Sequence, residues 1–252
     1  MSFDVTADAY TQFMGRFSVP LAALLADAVG VTHGQRALDV GCGSGALTAV
    51  LVERLGVERV SAADPSVSFV DSVRDAYPSM DVRQCAAEDL PFPDAAFDVV
   101  LAQLVVHFMA DPVAGIAQMA RTAVPGGVVG ANVWDSGGGR GPVDAFWSAV
   151  LTLDGSVRDE SHLAGVSEGD LAKLFAQAGL EDVTSTALTV RVHHNSFQDW
   201  WRPFTLGVGP AGAYVATLDE GARTRLEQRC RELVPEGAFT TTAVAWTAWA
   251  HT

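Results

Sequence analysis

Short apolar runs alternate with segments of helical periodicity over the first half of the chain. Residues 36–40 form a short run able to be a buried strand, and residues 46–54 repeat leucine and valine at helical spacing. Further strands are predicted at VERVSAAD, DVRQCAA, AFDVVLAQLVV and GGVVGANVWD. Helices are predicted at SVPLAALLADAV, SVSFVDSVRDAY and DPVAGIAQMARTAV, with Ser18, Ser66 and Asp111 as their N-caps. Strands and helices that alternate at this spacing predict a parallel, doubly wound α/β sheet.

The pattern changes after residue 135. Helical periodicity marks GPVDAFWSAVLTL, SEGDLAKLFAQAGL and LDEGARTRLEQRCREL, and SFQDWWRPF begins a further helix. Two segments, DVTSTALTVRVHH and AFTTTAVAWTAWAHT, alternate as strands do. Because no helix-length crossover pattern links them in parallel to the fifth strand, they predict an antiparallel, hairpin-like edge of the sheet.

Composition narrows the classes of partner. The 252 residues are 49% hydrophobic and 18% charged, which suits one large folded domain with a sizeable core. Thirty acidic residues against 16 basic ones give a formal net charge of −14. Phosphate backbones and anionic membranes require basic surface, so neither nucleic acid nor a membrane is expected as a partner.

The lysine and cysteine content and the amino-terminal segment disfavour further reaction types, metal sites and cellular locations. Lys173 is the only lysine, which disfavours Schiff-base chemistry and Tyr/Lys hydride transfer. The three cysteines show no CxxC spacing, which indicates reduced thiols and no metal–cysteine cluster. The amino terminus lacks a basic segment followed by an apolar one, and no run of 18 apolar residues occurs. We therefore expect a cytoplasmic protein without a metal.

A glycine-rich turn joins the first strand of this series to the helix after it. Gly41, Gly43 and Gly45 give GxGxG, while Gly41, Gly43 and Ala46 satisfy the related pattern of dinucleotide-binding proteins. Asp64 follows Gly45 by 19 positions (64 − 45), at the spacing suited to accept hydrogen bonds from ribose hydroxyls. The turn thus predicts an adenosine-type ligand. The alternative is a purely structural turn, with Asp64 capping the next helix.

Four segments in order carry a family resemblance: LDVGCGSGALT, AADPS, AEDLPFPDAAFDVVLAQLVVHFMADP and PGGVVGANVWD. They resemble the successive motifs of class I S-adenosylmethionine-dependent methyltransferases, and most closely the small-molecule branch with the ubiquinone and menaquinone C-methyltransferases. The resemblance covers roughly residues 8–135. It implies a Rossmann-like, doubly wound, seven-stranded sheet, mostly parallel with an antiparallel edge strand. One domain, 1–252, is expected, in which about 30–135 bind the cofactor and 1–29 and 136–252 supply lid and substrate-binding elements.

The resemblance also implies roles around the glycine turn. The amides of Gly41, Cys42 and Gly43 would lie along the methionine part of S-adenosylmethionine. Asp39 would reach the ammonium directly or through water, and Asp64 would hold the ribose. S-adenosylhomocysteine would be the product.

The adenine end shows one departure from the family pattern. The resemblance implies that Pro65 packs on adenine, that Ala87 and Glu88 meet its edge, and that Gln103 touches the methionine part. Many relatives carry Gly-Asp-Ala before the LPF run, where this chain has Cys-Ala-Ala at 85–87. Glu88 or Asp89 must replace that aspartate, or backbone alone holds the adenine.

The amino-terminal segment YTQFMGR resembles the part of the family that closes over the cofactor. Tyr10, Met14 and Arg16 are therefore candidates for the lid and for binding the methionine carboxylate.

Candidates for the acceptor side are fewer. His107 follows the fourth strand and His193 lies at a strand end, so either could serve as a general base, although His107 could equally be a structural residue closing the pocket. His193 and His194 are adjacent on a strand and point to opposite faces, so they cannot share a metal. Aromatic residues with an arginine suit a planar or anionic acceptor, although tryptophans at helical positions also serve as core. These candidates are Trp147, Trp200, Trp201 and Arg202.

The sequence thus predicts methyl transfer to a small-molecule acceptor by in-line displacement. Two alternatives stay open. A cofactor-binding regulator without activity would bind S-adenosylmethionine but form no product. An NAD(P)-dependent oxidoreductase would require a catalytic Tyr/Lys pair or a substrate arginine after the fourth strand, and neither pattern is evident.

Overall fold

A seven-stranded sheet runs through the protein, for which the computed structural model describes residues 7–252. The strand order is β3-β2-β1-β4-β5-β7-β6. The strands are β1 (Ala37–Val40), β2 (Val60–Asp64), β3 (Asp81–Gln84), β4 (Phe97–Gln103), β5 (Ala123–Trp134), β6 (Thr184–His194) and β7 (Phe239–His251).

Helices cover both faces of the sheet and extend beyond its carboxyl edge. They are α1 (Ala7–Tyr10), α2 (Arg16–Ala28), α3 (Ala46–Leu55), α4 (Val67–Ala76), α5 (Pro112–Thr122), α6 (Asp144–Leu153), α7 (Asp170–Gln177), α8 (Phe197–Trp201), α9 (Gly209–Thr217) and α10 (Glu220–Leu233). A π-helical segment, Thr11–Gly15, joins α1 to α2. Short 3₁₀ turns lie at Val57–Arg59, Val106–Phe108, Glu160–His162 and Arg202–Leu206. Sequence periodicity did not predict α9.

The predicted doubly wound sheet with an antiparallel edge is confirmed. Strands β1 to β5 pair in parallel, and β7 pairs antiparallel with both β5 and β6. The reversed strand is therefore the second strand from the edge, and β6 forms the edge itself. From β1 the chain continues to β2 on one side, and it later crosses to β4 on the other side of β1. The strand order therefore reverses at β1, and sheets of this kind bind ligands at such a switch point.

Side chains along the central strands point alternately to the two faces of the sheet, so the hydrophobic core is divided between those faces. In β4, Val100 and Ala102 pack toward α5 and α7, while Val99 and Leu101 pack toward α2, α3 and α4. A third apolar cluster is built by α6, α8, α9 and α10 together with Phe13 from the π-helical segment. We call it the aromatic cap. Its rings fix the helices that follow β5 against the amino-terminal segment.

One predicted helix start is wrong, and the correction matters for the site. Ser18 was expected to cap a helix, but helical backbone begins upstream and runs through the π-helical segment into α2. Ser18 is therefore interior to α2 and buried. Asp111, by contrast, caps α5 as predicted, and its carboxylate accepts the Ala114 N–H at 3.0 Å.

No helix among residues 7–252 is long and apolar enough to cross a membrane. The same residues contain no cluster of three or more His, Cys, Asp or Glu side chains arranged to hold a metal ion.

Candidate active site

A large cavity of about 600 Å³ opens where the carboxyl ends of β1, β2, β3 and β4 meet. The residue or turn that follows each strand contributes to its wall, because parallel strands present their carboxyl ends at one edge. Its lining includes Tyr10, Gly41, Gly43, Asp64, Pro65, Val67, Phe69, Cys85, Ala86, Ala87, Glu88, Gln103, Leu104, Val105, Phe108 and Met109. Most of the predicted cofactor residues therefore converge on one cavity.

The glycine turn is shaped by a close approach of two elements. Gly41 has a φ of +72°, and a Cβ on it would lie 2.4 Å from Cγ2 of Val105. Only glycine combines this positive φ with the absence of a Cβ that would clash with Val105. The N–H groups of Gly41 and Cys42 donate to the Ala63 carbonyl at 2.7 and 3.0 Å, which ties the turn to the end of β2.

Asp64 closes this turn from the neighbouring strand. Its two carboxylate oxygens accept the N–H groups of Gly43 at 2.9 Å and Ser66 at 2.8 Å. Burial raises the pKa of Asp64, and the two backbone donors oppose the rise. Each carboxylate oxygen has a second lone pair, so a ligand's hydroxyls can still bind here.

A small inner cavity of about 20 Å³ lies behind the glycine turn. Three buried oxygens on its lining residues have no hydrogen-bond partner among the described residues: Oδ1 of Asp39, Oε1 of Gln103 and Oγ of Ser18. These residues are 1%, 8% and 2% exposed, respectively. A cavity of this size holds one small polar group, and unpartnered buried acceptors indicate that such a group belongs there.

Asp39 is the acidic member of this set. Its Oδ2 accepts the Thr48 hydroxyl at 2.6 Å. Burial raises the pKa of Asp39 to about 7, the Thr48 hydrogen bond opposes the rise, and the charge of Asp64 adds to it. A cation beside Oδ1 would reverse this effect, because an opposite charge favours the ionised carboxyl.

The end of β4 carries a strained residue that sequence reasoning missed. Leu104 has a φ of +61° and lines both the large and the inner cavity. Its N–H donates to the backbone oxygen of Asn132 at 2.9 Å and to the Asn132 Oδ1 at 3.1 Å. A left-handed leucine costs about 1–2 kcal/mol and is often found at functional sites. Leucine itself signals no such turn, so the sequence could not have revealed it.

Glu88, one of the two acids predicted to replace the family's aspartate, lies at the large cavity. Cys85, Ala86, Ala87 and Glu88 line the large cavity, whereas Asp89 is not among its lining residues. Oε1 of Glu88 accepts the Asp111 N–H at 3.0 Å, which holds this carboxylate at the cavity. Glu88 thus supplies an acidic side chain at the cavity wall, two positions after Ala86.

The predicted lid residues separate into two groups. Tyr10 lines the large and inner cavities, and burial, with the charges of Asp64 and Glu160, raises its pKa to about 12. Met14 and Arg16 line a different cavity of about 20 Å³. The guanidinium of Arg16 donates to both carboxylate oxygens of Asp199, at 3.0 and 3.3 Å, and to the backbone oxygen of His193. Arg16 therefore joins α2 to α8 in this structure.

Neither predicted histidine lines the large cavity. His107 is buried beside Phe108, and burial lowers the pKa of its imidazole to about 3. His193 is exposed, and its backbone oxygen receives the guanidinium of Arg16. The adjacent His194 is buried, with Nε2 3.0 Å from the hydroxyl of Thr241, so the two rings do occupy opposite faces.

The predicted aromatic acceptor residues lie mainly in the core. Trp147, Trp200 and Trp201 are buried members of the aromatic cap, and Trp200 lines the small cavity that Met14 and Arg16 also line. Trp147 donates its Nε1–H to Glu160 at 3.2 Å, and Arg202 is exposed. The structure does not bring these four side chains to the large cavity.

Comparison with known proteins places this site in a family context. Residues 38–130 match the family model described as a methyltransferase domain. An uncharacterized methyltransferase of Mycobacterium tuberculosis is 37% identical over 136 residues, covering 54% of this chain and 53% of that protein. The ubiquinone/menaquinone biosynthesis C-methyltransferase of Stenotrophomonas maltophilia is 36% identical over 104 residues, covering 38% and 41%. The chain thus spans about half the length of the curated relatives it matches.

The fold recurs in solved structures. The geranyl diphosphate C-methyltransferase of Streptomyces coelicolor, solved with Mg²⁺, geranyl diphosphate and S-adenosylhomocysteine, superposes with a TM-score of 0.54 at 15% identity. The match covers 94% of this chain and 80% of that one. At this identity the likeness concerns the fold alone.

Proposed function

We propose that the chain, whose residues 38–130 match a methyltransferase domain, is a class I S-adenosylmethionine-dependent methyltransferase that transfers a methyl group from S-adenosylmethionine to a small-molecule acceptor. One observation carries the proposal. The inner cavity presents three unpartnered, buried oxygens, on Asp39, Gln103 and Ser18, and an ammonium group has three N–H donors and no acceptor. When bound, S-adenosylmethionine supplies that ammonium and a methyl group on positively charged sulfur.

The residues around the inner and large cavities could bind a ligand that has both an ammonium group and a nucleoside. Asp39 would hold the ammonium with a charge-assisted hydrogen bond, which is about twice as strong as a neutral one. Asp64 would accept the ribose hydroxyls through its remaining lone pairs, and Glu88 would meet the adenine amino group. Gly43 leaves room for the ligand, since a Cβ there would meet only Tyr10, at 3.9 Å, whereas the missing Cβ of Gly41 makes room for Val105.

The wall beyond the glycine turn is apolar. Leu104, Val105, Phe108 and Met109 line it, and Tyr10 covers it from the lid side. These side chains would exclude water and hold an acceptor in line with the reacting atoms, which is the main requirement for this reaction.

The proposal assigns no proton transfer to the two candidate histidines. A general base works best when its pKa lies near the working pH, and burial holds the pKa of His107 at about 3. We infer that positioning, rather than a histidine base, supplies most of the rate.

Calorimetric titration with S-adenosylmethionine, S-adenosylhomocysteine and NADH tests the proposal. We expect the two sulfur compounds to bind and NADH not to bind. Incubation with S-adenosylmethionine and candidate acceptors should then release S-adenosylhomocysteine. Binding of NADH alone would overturn the proposal, and cofactor binding with no product from any acceptor would favour a regulator.

A further inference from the structure

The place where the large and inner cavities join indicates where an acceptor would meet the methyl group. The residues that line both cavities are Tyr10, Gly41, Gly43, Gln103 and Leu104. In S-adenosylmethionine, the reacting sulfur is bonded both to the amino-acid part and to the ribose part. With the ammonium in the inner cavity and the ribose at Asp64, the sulfur and its methyl group would lie at this junction. The acceptor would therefore occupy the part of the large cavity beside Leu104.

The cavity beside the junction is lined by uncharged side chains. Leu104 directly follows β4, and Val105, Phe108 and Met109 continue the apolar wall from it. Phe69 of α4 also lines the large cavity. Because burial of apolar surface against such side chains is favourable, this part of the cavity suits an acceptor that is itself mainly apolar.

The charged side chains of the large cavity are all acidic. Among the described residues that line it there is no arginine, lysine or histidine, and its carboxylates belong to Asp64 and Glu88. Arg16 lines the smaller cavity with Met14, and its guanidinium is paired with Asp199. Carboxylate and phosphate groups are bound most strongly by cationic side chains. The lining of the large cavity offers none to an anionic acceptor.

The backbone and the lid do not supply the missing positive charge. The amino-terminal end of α4, where a helix favours an anion, lies beside the carboxylate of Asp64, which accepts the Ser66 N–H at 2.8 Å. On the lid side, burial and the charges of Asp64 and Glu160 raise the pKa of Tyr10 to about 12. Negative charges that hold the proton on the Tyr10 hydroxyl also repel an anion placed beside it.

We propose that the methyl acceptor is a mainly apolar compound that carries no carboxylate, phosphate or sulfate group. Such a group would be buried without a cationic side chain beside it, and the cavity's own carboxylates would repel it. A planar acceptor, predicted from the sequence, is compatible with this proposal. The predicted anionic acceptor depended on Arg202, which does not line the large cavity. The proposal rests on the proposed function, because that function locates the acceptor.

Two fluorescent probes that differ by one negative group test the proposal. N-phenylnaphthylamine is neutral and apolar, and anilinonaphthalene sulfonate carries a sulfonate on the same ring system. We expect the neutral probe to bind the complex of the protein with S-adenosylhomocysteine at least about tenfold more tightly than the sulfonate, as measured by fluorescence titration. Equal or tighter binding of the sulfonate would overturn the proposal, and so would failure of the neutral probe to bind.

A cation introduced at the apolar wall locates the effect. Met109 is partly exposed and has a side chain similar in length to lysine, so Met109→Lys adds an ammonium group to the cavity lining. We expect this variant to bind the sulfonate probe about fivefold more tightly than the wild type does. The matched control is Leu153→Lys, which adds the same charge to a half-exposed position on α6 outside the three cavities and should leave the affinity unchanged. Equal effects of the two substitutions, or none in Met109→Lys, would contradict the proposal.

The outcomes separate this proposal from the methyl-transfer proposal. If S-adenosylhomocysteine binds and the sulfonate probe is preferred, the acceptor class is wrong and the proposed function stands. If S-adenosylhomocysteine does not bind, the proposed function fails, and the placement of the acceptor fails with it.

Discussion

Gln103 donates its Nε2–H to the backbone oxygen of Ser18 at 3.0 Å, inside the protein. The bond joins the end of β4 to α2, 85 positions away in the chain. It also orients the side-chain amide of Gln103, whose Oε1, like the Ser18 hydroxyl, has no hydrogen-bond partner among the described residues around the inner cavity. Helix α2 therefore contributes directly to the proposed cofactor site.

Removal of the Ser18 hydroxyl should weaken cofactor binding. We expect Ser18→Ala to raise the Kd for S-adenosylhomocysteine by about tenfold or more, because one hydrogen bond to a cation contributes about 1.5 kcal/mol or more. Calorimetry measures the change. The matched control is Ser72→Ala on α4, a partly buried helix serine outside the cavities, which should bind as the wild type does. Unchanged affinity in Ser18→Ala would exclude this contact.

Cofactor affinity should depend on pH through Asp39. Because its pKa is about 7 in the ligand-free protein, binding a cation below pH 7 requires release of a proton. We expect affinity for S-adenosylhomocysteine to fall by up to about tenfold per unit below pH 7. Titrations in buffers of different ionisation enthalpy should detect the proton. Asp39→Asn should bind weakly and lose this dependence; an equally steep dependence in that variant would assign the proton to another group.

Asp39 should also make the stability of the ligand-free protein depend on pH, with the opposite sign: stability should be higher at low pH. An acid whose pKa rises on folding stabilises the protein below its unfolded pKa of about 4, and this contribution is lost as the pH rises to about 7. Between pH 5 and 8, the free energy of unfolding of the ligand-free protein should therefore fall by about 2–3 kcal/mol more than that of Asp39→Asn. Urea unfolding at both pH values measures the difference. Parallel pH profiles would contradict it.

The glycine turn should not tolerate a Cβ at position 41. Gly41→Ala combines a left-handed backbone with a Cβ that would contact Val105, so we expect a loss of more than about 3 kcal/mol of stability. Gly34→Ala is the matched control, since its φ is +96° and nothing lies within 4 Å of the added Cβ. Gly34→Ala should lower the free energy of unfolding, measured with urea, by only about 1–2 kcal/mol. Equal losses in both variants would exclude the close approach as the cause.

The Arg16–Asp199 ion pair should couple α2 to α8. A double-mutant cycle of Arg16→Ala and Asp199→Ala should give a coupling energy of about 0.5–1 kcal/mol at pH 7. The value should be small because both side chains are about one-third exposed and their charges are partly screened. The Asn195 N–H and the Arg16 guanidinium lower the pKa of Asp199, so the coupling should vanish as the pH falls below about 4. Lys173→Ala with Asp170→Ala, a more exposed pair, should show almost none.

Sequence patterns predicted the parts of this protein that depend on local spacing. The turn at Gly41 and the acid at Asp64 were predictable because glycine conformation and strand–helix spacing leave a local signature. Leu104 was not, because Asn132 on a distant part of the chain imposes its strained backbone. Ser18 has the side chain of a helix cap, and only the helical segment upstream places it inside α2. Trp201 was ambiguous from sequence because a buried ring and a ligand-binding ring share the same helical spacing.

The most direct measurement compares S-adenosylhomocysteine with its analogue that lacks the amino group. The account predicts that the amino compound binds at least about tenfold more tightly, since its ammonium meets three buried acceptors. It also predicts that Asp39→Asn removes most of this preference. Equal affinities for the two compounds in the wild-type protein would contradict the assignment of the inner cavity to the ammonium group.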